Sequence, residues 1–318
     1  MKYCLAALGM LFLALTVYAH NPDTNGDFPW IPFTWEPESH NGIPEKTKMS
    51  VPVRIAELSD QFEAQLDLDM LAQTMLNGYA FDRYFEKYPA LKQRIDTTHY
   101  AYIQDIFCPF LKNIKLTLGE IAFPEKNIPL FYDYLHTTAD SLSARSAKQI
   151  GTIAPDLFSD GVLVIDYPNE RLCRLDKIPE SWKKAFYFAE IRKSTGFPMV
   201  ILPLKIAGSI RNVVFETRYN MFPLLSTPSK VSEIIATEYH TDSLSFGFEK
   251  DQINIYGYKI KGNVQFGPIV FDAFPVYETE YNDEDMDEAG VWGIIGNRYF
   301  LNRTIIIDYK NRRFGVSR

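Results

Sequence analysis

One pattern occurs twice in this chain at a fixed spacing. Residues 151–171 read GTIAPDLFSDGVLVIDYPNER, and residues 293–313 read GIIGNRYFLNRTIIIDYKNRR. Every position of the first block meets its counterpart 142 positions later, without a gap. Identities fall at Gly151/Gly293, Ile153/Ile295, Phe158/Phe300, Ile165/Ile307, Asp166/Asp308, Tyr167/Tyr309, Asn169/Asn311 and Arg171/Arg313. A repeat of this length is a lobe rather than a solenoid turn, so the chain reads as two copies of one fold. A shared site would then lie between the copies.

The chain has 318 residues, 46% hydrophobic and 23% charged, enough for two lobes that each bury a core. A net charge of −7 leaves no basic stripe to neutralise phosphates, and nucleic acid is not an expected partner. Lys2, the apolar run Leu5 to Val17 and the small-residue site Val17-Tyr18-Ala19 read as a signal peptide over residues 1–19. An uncleaved anchor is the other reading, although the run is short for a permanent span. The expectation is an exported protein, periplasmic or secreted, beginning near His20 and holding no membrane after cleavage.

Cleavage would remove Cys4 and leave Cys108 and Cys173, for which one disulfide and two buried thiols both remain open. No CxxC or HExxH is present, and His20, His40, His99, His136 and His240 stand singly, so neither metal nor cofactor is expected. The acidic run Glu278–Glu288 lacks the Gly and Glu positions of a calcium loop and reads as a solvated loop before Gly293.

Residues 20–47 are rich in Pro, Asn and Gly and read as an extended N-terminal arm. SVPVRIA and QFEAQLDL then alternate as a hairpin over residues 50–68, matched in the second copy by FPMVILPLKIA, a Gly208-Ser209 turn and IRNVVFE. Helical spacing is strongest between Leu71 and Ile95, with Pro89 as its break. Strands are expected at 113–122, 127–134, 252–261 and 263–278. The lobes are placed at 48–178 and 179–318, joined through IPESWKKAF, in a mainly β protein expected to be a monomer.

The order of these pieces resembles the retropepsin-like aspartic peptidases. GIIGNRYFLNRTIIIDYKNRRFGV is similar to the closing block of that fold, VVFETRYNMFPLL to the strand and turn carrying its catalytic triplet, and QLDLDMLAQTML occupies the matching place in the first copy. The resemblance implies two β-barrel lobes in tandem in a pepsin-like, pseudo-twofold arrangement, as in aspartyl-protease-like proteins exported by bacteria. It further implies one carboxylate from each lobe, Asp67 and Glu216, sharing a proton to activate water.

Against that implied chemistry, both triplets depart from Asp-Thr-Gly. The first is Asp67-Leu68-Asp69, with Leu68 in place of a bracing hydroxyl and Asp69 adding negative charge. The second is Glu216-Thr217-Arg218, where Glu lengthens the arm and an inward Arg218 would oppose proton sharing. The expectation is therefore a non-catalytic relative that binds an extended peptide or protein partner in the interlobe cleft. The alternative is an active aspartic endopeptidase using Asp67 and Glu216; a third reading makes both residues plain strand-end polar groups. Asp166 and Asp308, in Asp-Tyr-x-Asn, read as turn-closing residues.

Overall fold

The computed structural model describes residues 28–40, 43–68, 73–103, 106–132, 149–192, 199–217, 221–248, 251–279 and 283–318. The leader, Cys4, His20, His136, Asp69 and Arg218 lie outside the described residues. Among those described, no helix is long and apolar enough to cross a membrane.

The chain is mainly β. Its first half runs β1 (Ile31–Pro32), β2 (Thr34–His40), β3 (Ile43–Ile55), β4 (Phe62–Leu66), β5 (Met75–Asn77), α1 (Gly78–Lys87) and α2 (Pro89–Lys92). It continues with β6 (Ile95–Ile103), β7 (Ile106–Ile114), β8 (Leu116–Leu118), β9 (Ile121–Ala122), β10 (Lys126–Phe131), β11 (Gln149–Ile153), β12 (Val162–Asp166) and β13 (Arg171–Leu175). The second half begins with β14 (Phe186–Glu190), β15 (Ile201–Ile206), β16 (Ser209–Phe215), β17 (Leu224–Ser226), α3 (Pro228–Ser232), β18 (Asp242–Phe248) and β19 (Asp251–Tyr258). It ends with β20 (Val264–Phe266), β21 (Ile269–Val270), β22 (Val276–Glu278), α4 (Asp283–Glu288), β23 (Gly293–Ile295), β24 (Thr304–Asp308) and β25 (Arg313–Ser317).

The duplication is visible in the sheet orders. One lobe runs β6-β7-β10-β5-β11-β4-β3-β8-β9 and the other β18-β19-β22-β17-β23-β16-β15-β20-β21. A six-stranded sheet, β1-β13-β12-β24-β25-β14, joins them. At its centre β12 and β24 pair antiparallel, with Val162 opposite Asp308, Val164 opposite Ile306 and Asp166 opposite Thr304. Val164 and Ile306 are themselves repeat counterparts, so the pseudo-twofold axis passes between them.

This central pair explains why VLVI and the III of TIII are unbroken apolar runs. A sheet covered on both faces needs apolar side chains on both. Leu163, Ile165, Ile305 and Ile307 face the main core, while Val162, Val164 and Ile306 face a second cluster with Cys173, Ile178, Trp182 and Phe186. IPESWKKAF is thus more than a connector, because its Ile178, Trp182 and Phe186 close the underside of the sheet.

Both closing blocks form the same polar clasp. Asp166 Oδ2 accepts from Asn169 Nδ2 at 2.8 Å and Arg171 Nε at 2.9 Å. Asp308 accepts from Asn311 Nδ2 at 3.0 Å and Arg313 Nη2 at 2.7 Å. Each arginine also stacks on an aromatic ring, Arg171 over Trp30 at 4.2 Å and Arg313 over Phe188 at 5.6 Å. Asp166 and Asp308 therefore close turns, as their setting suggests.

Several local expectations change. Part of the Pro- and Asn-rich lead-in is strand: β1 caps the edge of the central sheet through Ile31 opposite Leu172, and β2 pairs with a β3 that starts before residue 48. Pro32 is tolerated because an edge strand has a side that needs no N–H donor. The second hairpin turns on Ala207-Gly208, one residue earlier than expected, both at positive φ (50° and 88°). The span 263–278 breaks into β20, β21 and β22, and part of the acidic run forms α4 instead of a loop. Pro89 does end α1, and opens α2 at the first position, where its missing N–H costs nothing. Cys108 and Cys173 are free thiols, buried in different hydrophobic clusters.

Candidate functional site

Along β4 the side chains alternate, with Phe62, Ala64 and Leu66 in the core and Glu63 and Gln65 half-buried on the other face. Asp67 extends the Glu63–Gln65 row, and Leu68 returns to the core. On β16 the core row is Val213 and Phe215, and Glu216 follows Val214 on the opposite face. The two residues are tethered alike. Asp67 N–H donates to Ile153 O at 2.9 Å, and Glu216 N–H donates to Ile295 O at 3.0 Å. Because Ile153 and Ile295 are repeat counterparts, Asp67 and Glu216 occupy equivalent places in the two lobes. Both are buried, at 2% and 3% exposure.

The loops that carry them touch across the lobe boundary. Thr217 Oγ1 accepts from Leu68 N–H at 2.9 Å and donates to Leu66 O at 3.1 Å. Leu68, the residue at the equivalent place, has no hydroxyl to return the contact. A second asymmetry lies beneath. Asn297 Nδ2 donates to Thr217 O at 2.6 Å, and its Oδ1 accepts from the Tyr167 hydroxyl of the first lobe. The counterpart of Asn297 is Pro155, and the Tyr309 hydroxyl, counterpart of Tyr167, is buried without a partner. The second lobe supplies both polar braces, and the first lobe has replaced both with apolar residues. Asn297 and Tyr167 were not singled out as site residues from sequence; the signal was there, in the aligned pair Asn297/Pro155.

The surroundings of the two carboxylates also differ. On the Glu216 face, Val214 packs against Met286 of α4 and Val291. On the Asp67 face the matching position is Gln65, which lines a cavity of about 270 Å³ together with residues that include Glu36, Lys48, Met75, Phe131 and Thr152. One flank of the site is filled and apolar, the other open and polar. Among the described residues, no group of His, Cys, Asp and Glu is arranged to hold a metal ion.

No family model and no curated protein sequence matches the chain. Among solved structures it is similar to the aspartic proteinase from Irpex lacteus, at 13% identity and a TM-score of 0.46, over 91% of this chain and 96% of that one. The two-lobed architecture described above rests on the paired blocks and the matching sheet orders of this chain itself.

Proposed function

We propose that the chain is an exported protein of aspartic-peptidase shape that binds an extended peptide or protein segment between its lobes without hydrolysing it. The observation that carries this reading is the inequality of positions 67 and 216. Their backbones are tethered identically to Ile153 O and Ile295 O, yet one side chain is Asp and the other Glu. With equal anchors and unequal arms, the two carboxylates cannot be related by the axis that relates their strands. A shift of about 1 Å in a catalytic group costs about 100-fold in rate. The one-sided brace from Thr217 adds to that asymmetry.

Binding of an extended segment is favoured by the edges of the two lobes. β6 and β18 end their sheets, and strand addition to such an edge supplies main-chain hydrogen bonds to a ligand. Tyr100, Tyr102 and Phe107 on the β6–β7 hairpin expose large apolar area beside that edge.

The test uses the full mature chain with a labelled unfolded protein and short extended peptides, from pH 3 to 7. Saturable binding without cleavage is the expected result. Cleavage abolished by both Asp67→Asn and Glu216→Gln would replace this reading with the active endopeptidase. Cleavage that survives both substitutions would place the chemistry elsewhere in the molecule.

A further inference from the structure

A cavity of about 260 Å³ lies where β19 turns into β20 in the second lobe. Its polar side chains are Thr241, Lys259 and Asn263, all exposed, and Ile260, Val264, Phe274 and Pro275 give it an apolar wall. None of the lining residues is among those described around Asp67 and Glu216. Backbone bonds hold the rim in place. Thr241 N–H donates to Gly257 O at 2.7 Å, Ala236 N–H to Lys259 O at 2.8 Å and Lys261 N–H to Ile234 O at 2.7 Å. The Phe274 ring is fixed as well, with the Arg298 guanidinium 5.2 Å from its centre and Tyr299 edge-on at 5.1 Å. A ligand meets this surface already ordered, which spares the cost of arranging it.

The two lobes differ here in kind. Phe271 N–H donates to Val264 O and Phe123 N–H to Leu116 O, both at 2.9 Å, so the segments that follow start alike. Three residues on, Lys126 meets Asp156 at 2.8 Å in the first lobe, and Phe274 lies under Arg298 in the second. Asp156 and Arg298 are repeat counterparts. An ion pair in one lobe is thus replaced in the other by a half-buried ring that borders a cavity.

Charge narrows what the cavity takes. Among the described residues Lys259 is the one charged group in the lining, and it makes no ion pair. In a chain of net charge −7 such a cation is complementary to an anion. A phosphate group brings up to about two charges and three acceptor oxygens, and the lining has no arginine or second cation to answer them. The Asn263 oxygen already accepts from Gln265 Nε2 at 2.8 Å, which leaves the Asn263 NH₂ to donate. One ammonium and one amide NH₂ match a single carboxylate.

We infer that this cavity binds a monocarboxylate carrying a short apolar group, with the carboxylate on Lys259 and Asn263 and the apolar group on Phe274, Ile260 and Val264. Its volume is below the range of about 300–1,000 Å³ typical of drug-sized ligands, so one short group fills it. A free acid and the C-terminal residue of a peptide both present this chemistry. The site stands apart from the peptide-binding reading of the interlobe cleft and does not depend on it.

The experiment follows the Ile260 and Val264 methyl groups by NMR in the chain from His20 onward. Hydrocinnamate, its primary amide and N-acetylphenylalanine are titrated in turn. Saturable shifts of both methyl groups are expected for at least one of the two acids, with a Kd of about 1 mM. The amide of hydrocinnamate keeps the apolar group without the charge and is expected to bind about tenfold more weakly than its acid. Lys259→Met, a change at an exposed side chain, should weaken the acid about tenfold and the amide by less than about twofold. Shifts with hydrocinnamate assign the site to a free acid and shifts with N-acetylphenylalanine to a chain end; either sustains it. An amide that binds as tightly as the acid, an acid indifferent to Lys259→Met, or no shift with either acid at about 10 mM overturns the inference.

Discussion

Tyr167 of the first lobe donates its hydroxyl hydrogen to Asn297 Oδ1 of the second, while its repeat counterpart Tyr309 buries a hydroxyl with no partner. The two tyrosines share a place in the Asp-Tyr-x-Asn turn and differ only in what the other lobe offers them. Removing one hydroxyl should therefore not equal removing the other. Tyr167→Phe strands the Asn297 oxygen in the interior and is expected to cost about 1–3 kcal/mol. Tyr309→Phe deletes an unsatisfied group and is expected to be neutral or slightly stabilising. Urea unfolding of the two variants checks this; equal losses would show that the contact across the lobes contributes nothing.

Thr217 ties the lobes through a single oxygen that serves as both donor and acceptor. Thr217→Val keeps the volume but removes both bonds and leaves the buried Leu68 N–H without its acceptor. The expected loss is about 1–3 kcal/mol, with the fold retained. Denaturant midpoints measure it, and a variant as stable as wild type would remove Thr217 as the brace.

What the sequence discloses depends on how local each cause is. The closing blocks were legible because their clasp is internal: Asp166, Asn169 and Arg171 lie within one turn, and so do Asp308, Asn311 and Arg313. The hairpins were legible from alternation, and the α1 break from Pro89. The aligned pair Asn297/Pro155 marked the position of Asn297 but not its role, because its bonds reach Thr217 and Tyr167, which lie 80 and 130 positions away. β1 was hidden for the same reason, since its register partner Leu172 lies in a distant segment. α4 has no apolar stripe to announce it. Met286 is its one buried apolar side chain, and the helix is fixed by tertiary contacts, with Asp283 accepting from Thr227 and Ser229 and Asp287 meeting Lys230 at 2.7 Å.

Acid should unfold the chain partly through Asp308. Burial alone would raise its carboxyl, but donation from Arg313 and Asn311 outweighs that and holds it below the ordinary value. A depressed folded value contributes stability above the unfolded carboxyl range near pH 4, and that contribution is lost as pH falls through the folded value. Asp308→Asn is expected to lower stability at pH 7 and to flatten the decline between about pH 5 and 2. Unfolding midpoints across that range measure both effects; a slope unchanged from wild type would sink the assignment.

The two cysteines offer the last check, because both are fully buried but in separate clusters. Cys108 packs with Ala101, Ile103 and Ile106 under the β6–β7 hairpin, and Cys173 packs with Val162, Val164 and Trp182 beneath the central sheet. Burial pushes the Cys173 thiol up to about 12 and also raises Cys108. Thiolate is the reactive form, so neither sulfur should react while the chain is folded. In a chain that begins at His20, and so lacks Cys4, a thiol reagent is expected to label no site under native conditions and two after unfolding in guanidinium. Reductant should leave the melting temperature unchanged, since no cross-link constrains the unfolded chain. A melting temperature that falls on reduction, or two thiols that stay silent after unfolding, would mean that the pair is a disulfide and that the packing of both clusters is different.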